Sequence, residues 1–118
     1  MIRYPLLLAL VAMFLFSSAA SAATFSAGTY SSGSYSMRFD ANGHFHVDAG
    51  KDNSVDGTYT TKNDEIDFKD ISGSMACEKD VVGKFRWSIT DNVLKFEKIE
   101  DKCAERSDDL TSQAWKKQ

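Results

Sequence analysis

The 118-residue sequence predicts an all-β protein: eight short antiparallel strands in up-and-down order, closed into a small barrel behind an N-terminal signal peptide. Three observations lead there. Apolar and polar residues alternate with a period of two through almost the whole chain beyond residue 22, the period of a half-buried strand. Gly, Asp and Asn mark the turns, while the single proline, Pro5, lies in the leader. The hairpins follow one another directly, with no long crossover of the Greek-key kind. A two-sheet sandwich is the alternative, and closure is favoured because it removes the exposed strand edges that so small a sheet could hardly cover.

MIRYPLLLALVAMFLF places one cation, Arg3, before an apolar run over residues 6–16, which is too short to span a bilayer as a helix. Ala20 and Ala22 then supply the A-x-A pattern of a signal peptidase site, so residues 1–22 are expected to be removed and 23–118 to form the domain, with cleavage after Ala20 as the alternative. No cysteine stands near either site, so no lipid anchor is expected. The processed chain should be periplasmic or secreted, without a membrane anchor.

FSAGTYS opens the first strand. In SYSMRFDANGHFHVD, Tyr35, Met37 and Phe39 alternate with polar residues, Asn42-Gly43 suits a turn of positive φ, and Phe45 and Val47 return. Val55, Gly57 and Tyr59 share one face of the next strand, KND turns, and Ile66 and Phe68 come back against them. Phe85, Trp87 and Ile89, the turn Asp91-Asn92, and Leu94 and Phe96 make the third hairpin. A last strand is expected near LTSQAWKK. The inward-facing set is strongly aromatic, which suits either a filled barrel or the wall of a small-molecule site.

Charge and cysteine content narrow the function. Without Arg3 the fourteen Lys and Arg become thirteen, against seventeen Asp and Glu, a net charge of −4. Acids accompany nearly every basic residue, as in DKCAERSDD, so no phosphate-binding face is expected and nucleic acid is set aside. A chain of this size buries only about 65% of its unfolded surface, so a cross-link matters. Cys77 and Cys103 are the only cysteines, and export takes them to an oxidising compartment, where such a pair closes. Two thiols alone would half-fill a tetrahedral metal site, and redox pairs more often sit at C-x-x-C spacing. The pair is read as a structural disulfide tying the two open ends of the third hairpin.

Candidate chemistry is sparse. His44, His46 and Asp48 are spaced by two, so they share a strand face and form a weak candidate for zinc or copper; the ordinary reading is a solvated face opposite Phe45 and Val47. No nucleophile elbow, zinc-protease helix or paired-cysteine redox motif occurs. No enzyme activity and no cofactor are expected.

Gly28-Thr29-Tyr30, Gly57-Thr58-Tyr59, Cys77, Gly83 to Trp87, Leu94-Lys95-Phe96, Asp101-Lys102-Cys103 with Arg106, and Trp115, in that order, resemble the small exported bacterial lipocalin-like (calycin) proteins. The resemblance spans the whole processed chain, although it is shorter than a full lipocalin, lacks the tryptophan of the G-x-W position and has no T-D-Y turn. It implies a β-barrel that binds a small hydrophobic ligand in or at its mouth, with Phe39, Tyr59, Phe85, Trp87 and Phe96 facing that ligand. It also implies that Tyr30, standing where larger members have tryptophan, packs under Arg106 to plug one end of the barrel. The alternative for Arg106 is a surface ion pair with Glu105, Asp108 or Asp109. The alternative for the whole protein is a protein-binding module, acting through loops 48–56 and 69–82 of a filled barrel as the small periplasmic lysozyme inhibitors do.

Overall fold

The structure is a computed structural model that describes residues 24–118; the expected signal peptide and cleavage site lie outside the described residues. Eight strands run β1 (Gly28–Ser32), β2 (Tyr35–Phe39), β3 (His44–Asp48), β4 (Ser54–Lys62), β5 (Glu65–Ser72), β6 (Val82–Thr90), β7 (Val93–Glu100) and β8 (Trp115–Lys117). Each pairs antiparallel with the next, and β8 returns to β1 through Tyr30↔Lys117 and Ser31↔Lys116. The sheet is therefore a closed up-and-down barrel rather than a sandwich.

The turns follow from local chemistry. Asn63, Asp91 and Asn92 all adopt positive φ, a conformation that Asn and Asp tolerate better than most residues, so β4–β5 and β6–β7 reverse in two residues each. Between β2 and β3 the Asp40 carboxylate accepts the N–H groups of Asn42 and His44, and Gly43 takes the positive φ. These three turns lie at one end of the barrel. The longer connections, 49–53, 73–81 and 101–114, gather at the other end.

Alternation holds inside. Met37, Phe39, Phe45, Val47, Ile66, Phe68, Phe85, Trp87, Leu94 and Phe96 are buried, and Tyr35, Tyr59 and Ile89 pack half-buried against them. Before β1 the chain drops Phe25 into the tight-turn end, where its ring meets Phe39, Trp87 and Tyr59 edge-on at 4.9, 5.3 and 5.7 Å. Such contacts contribute about 0.5–1.5 kcal/mol each beyond area burial. Tyr59 donates its hydroxyl to the Asp40 carbonyl, closing that rim.

One element departs from expectation. Leu110 and Thr111, expected to begin the last strand, instead end a helix, α1 (Ala104–Thr111), and β8 keeps only Trp115 to Lys117. The helix caps the open end of the barrel by burying Arg106, Ser107 and Leu110, and the Leu110 carbonyl accepts the indole N–H of Trp115 at 3.2 Å.

Candidate functional site

Cys77, in the 73–81 connection, bonds Cys103, the residue that caps α1, across a sequence separation of 26. The bridge ties the open ends of the β6–β7 hairpin, as the spacing implied. It is framed by charge. Asp70 Oδ2 accepts the Cys77 N–H at 2.8 Å, and Asp101 Oδ1 accepts the Cys103 N–H at 2.9 Å. Both carboxylates then meet one guanidinium: Arg106 donates through Nε and Nη2 to Asp101 at 2.8 Å, and Nη1 stands 3.2 Å from Asp70 Oδ1. Nη2 also donates to the Val81 carbonyl. Side-chain exposure is 7% for Arg106, 2% for Asp70 and 0% for Asp101, so this is a buried ionic network. The fit over β6 depends on Gly83, since a Cβ there would lie 2.6 Å from Asp101 Oδ2 and 2.9 Å from Arg106 Nε.

Arg106 therefore makes none of the surface pairs with Glu105, Asp108 or Asp109 offered as its alternative. Nor does it share a hydrogen bond with Tyr30, whose hydroxyl donates to the Ser26 carbonyl at 2.6 Å toward the tight-turn end. Burial opposes the charge on Arg106, but the hydrogen bonds and charges of Asp101 and Asp70 outweigh it and hold the guanidinium above its ordinary pKa. Burial raises the Tyr30 phenol despite its bond to Ser26.

Beside this network a pocket of about 370 Å³ opens between α1, the 73–81 connection and the barrel mouth. The barrel supplies Tyr35, Met37, Phe45, Val47, Val55 and Phe68, β8 supplies Trp115, and the connection supplies Ser74 and Met75. Asp70 and Arg106 line it with their buried network, and Glu105, Asp108, Asp109 and Leu110 line it from the helix. Two buried polar atoms of its lining residues, Asp70 Oδ1 and Arg106 Nη1, face each other as an ion pair at 3.2 Å without well-aligned hydrogen-bond geometry. Asp109 is held above the usual aspartate pKa by burial, partly offset by its bond to Tyr35 and reinforced by Glu105 and Asp108.

None of the five aromatic side chains expected to face a ligand lines this pocket. Phe39, Phe85, Trp87 and Phe96 are packed into the barrel interior, and Tyr59 borders a shallower pocket of about 200 Å³ with Thr58, Thr60 and Lys69. The pocket is lined instead by other inward-facing residues, among them Met37, Phe45, Val47 and Phe68, and by a helix that strand alternation did not foretell. One available signal was Asp70, an acid at an inward position of EIDFKDIS, two residues beyond Phe68.

The histidines part company. His46 Nδ1 lies 2.7 Å from Asp56 on β4, and His44 lies 3.6 Å from Asp40 in the adjoining turn, while Asp48 accepts the Gly50 N–H. Among the described residues no three His, Cys, Asp or Glu side chains come together as a metal site. Among them, too, no helix is long and apolar enough to cross a membrane. No family model, curated protein or solved structure matches this chain, so the closed eight-stranded barrel, an architecture consistent with the calycin-like fold, rests on its own strand pairing.

Proposed function

We propose that this chain is an exported, non-catalytic, lipocalin-like binding protein that takes a small molecule with an apolar body at the helix-side mouth of its barrel. The observation that carries the reading is the pocket of about 370 Å³, walled by Met37, Val47, Val55, Phe68 and Trp115 and provided with a few buried polar atoms. That volume and composition fall in the range of small-molecule sites. The filled interior below directs binding to the mouth. The Cys77–Cys103 bond suits an oxidising destination.

Trp115 lines the pocket and Trp87 does not, so Trp87→Phe leaves a single reporter in the right place. Titrating that variant with a neutral apolar probe, 1-octanol, should change Trp115 emission saturably. Val47→Phe, which fills the floor, should suppress the change. No saturable response would refute the proposal.

The alternative is a protein partner on the outer wall, favoured by Ile71 and Val82, which are 63% and 42% exposed beside the 73–81 connection. It predicts capture of an envelope protein that Ile71→Lys abolishes while the octanol response persists.

A further inference from the structure

We propose that the mouth pocket selects an amine: a ligand whose apolar body lies against the barrel wall and whose ammonium group meets Asp70 and the acidic rim of α1. This rests on the binding reading above and adds the charge of the ligand to it.

The first reason is an imbalance in the buried network. One guanidinium serves two buried carboxylates, and Asp101 takes both of the well-aligned hydrogen bonds that Arg106 gives to a carboxylate. Asp70 uses one oxygen for the Cys77 N–H. Its other oxygen is ion-paired with Arg106 Nη1 at 3.2 Å but lacks a well-aligned hydrogen bond, on a side chain that is only 2% exposed and belongs to a residue lining the pocket. A buried carboxylate that shares its only cation with a second carboxylate is under-compensated, and a further charged donor would strengthen its position.

The second reason is the rim. Glu105, Asp108 and Asp109 line the same pocket, so four carboxylates face it with Arg106 the only cation among the lining residues. An ammonium group offers three donors and no acceptor, which matches a site of acceptors. A carboxylate ligand would enter against four like charges to reach a guanidinium already held by Asp101. The raised pKa of Asp109 agrees, since burial first, and then the charges of Glu105 and Asp108, disfavour its ionised form, and an entering cation would offset both.

The test is a matched series. The disulfide-bonded protein is titrated calorimetrically with 1-octylamine, 1-octanol and octanoate, which share one chain and differ in head group. The amine should bind about tenfold or more tighter than the alcohol, as one well-formed charge-assisted contact allows, and octanoate should bind more weakly than either. Raising the salt should narrow the amine's lead. Because Asp70→Asn disturbs the buried network, the rim variant Asp109→Asn with Glu105→Gln is the second arm, and in it the amine's advantage over the alcohol should shrink severalfold. Alcohol and amine binding equally would overturn the amine inference and leave the apolar pocket standing, as would octanoate binding tightest. No binding by any of the three would overturn the pocket reading and this inference with it.

Discussion

Replacing Arg106 by methionine is the sharpest perturbation of this fold. The variant keeps the aliphatic stem but leaves Asp70 and Asp101, 2% and 0% exposed, without their cation. Breaking a buried ion pair from one side costs about 3–5 kcal/mol, whereas an exposed pair is worth about 0–1 kcal/mol. For a domain whose total stability is about 5–15 kcal/mol, that is a large fraction. With about 4–8 °C of melting temperature lost per kcal/mol at this size, the midpoint should fall by at least roughly 12 °C. Urea and thermal unfolding followed by circular dichroism read this directly. The triple variant Arg106→Met, Asp70→Asn, Asp101→Asn then removes the stranded charges while retaining a carbonyl oxygen for each half-cystine N–H, and should recover more than half of the loss. A single-variant loss below about 1 kcal/mol, or a triple variant no better than the single, would show that the network is not the buried unit described.

Three further outcomes follow from the same geometry. Cys77→Ser with Cys103→Ser should lower stability by about 3–4 kcal/mol, the loop-entropy value for this separation, and an unchanged melting curve would contradict it. Gly83→Ala, whose new methyl would crowd Asp101 and Arg106, should lower stability by about 1–3 kcal/mol in urea titrations, while Ser88→Ala on the outer face of the same strand should be near neutral. Asp109 has a folded-state pKa above its ordinary 3.8, so the folded protein holds that proton more tightly than the unfolded chain, and stability falls as pH rises through this window. Asp109→Asn should therefore be more stable than the parent at neutral pH, with the difference closing as pH drops toward 3.8, and pH-resolved melting curves would show a constant difference if the cause were otherwise.

The barrel was legible because its chemistry is local. Period-two alternation in KFRWSIT or YSMRF places every second side chain inside, and Asp91-Asn92 can hardly do anything but turn. The helix was not legible, for an equally physical reason. Its buried face is Arg106, Ser107 and Leu110, so apolar periodicity has a single residue to display, and Cys103 caps it without any side-chain hydrogen bond. Its burial is ionic, and depends on Asp70, whose partner lies 36 positions along the chain. Family resemblance singled out Arg106 but paired it with Tyr30, and the acids adjacent in sequence suggested surface ion pairs, whereas its partners are Asp70 and Asp101. The pocket inherits both omissions, since it lies between the helix and the carboxylate that alternation turned inward.

The wall of this cylinder is stitched unevenly. β4 and β5 share seven registered pairs, but β8 is held by two on each side, and its link to β1 joins Tyr30 with Lys117. Bringing such distant positions together carries a heavy loop penalty, so on chain-entropy grounds that seam is expected to close late. With that seam open, β1 and β8 would stand as raw edges of the kind that recruit other chains. With Cys77 and Cys103 joined, the covalent path from Tyr30 to Lys117 bypasses the β6–β7 hairpin, so oxidation lowers the loop penalty for seating β8. On that expectation the sulfur link would act as a jig during assembly as well as a brace afterwards.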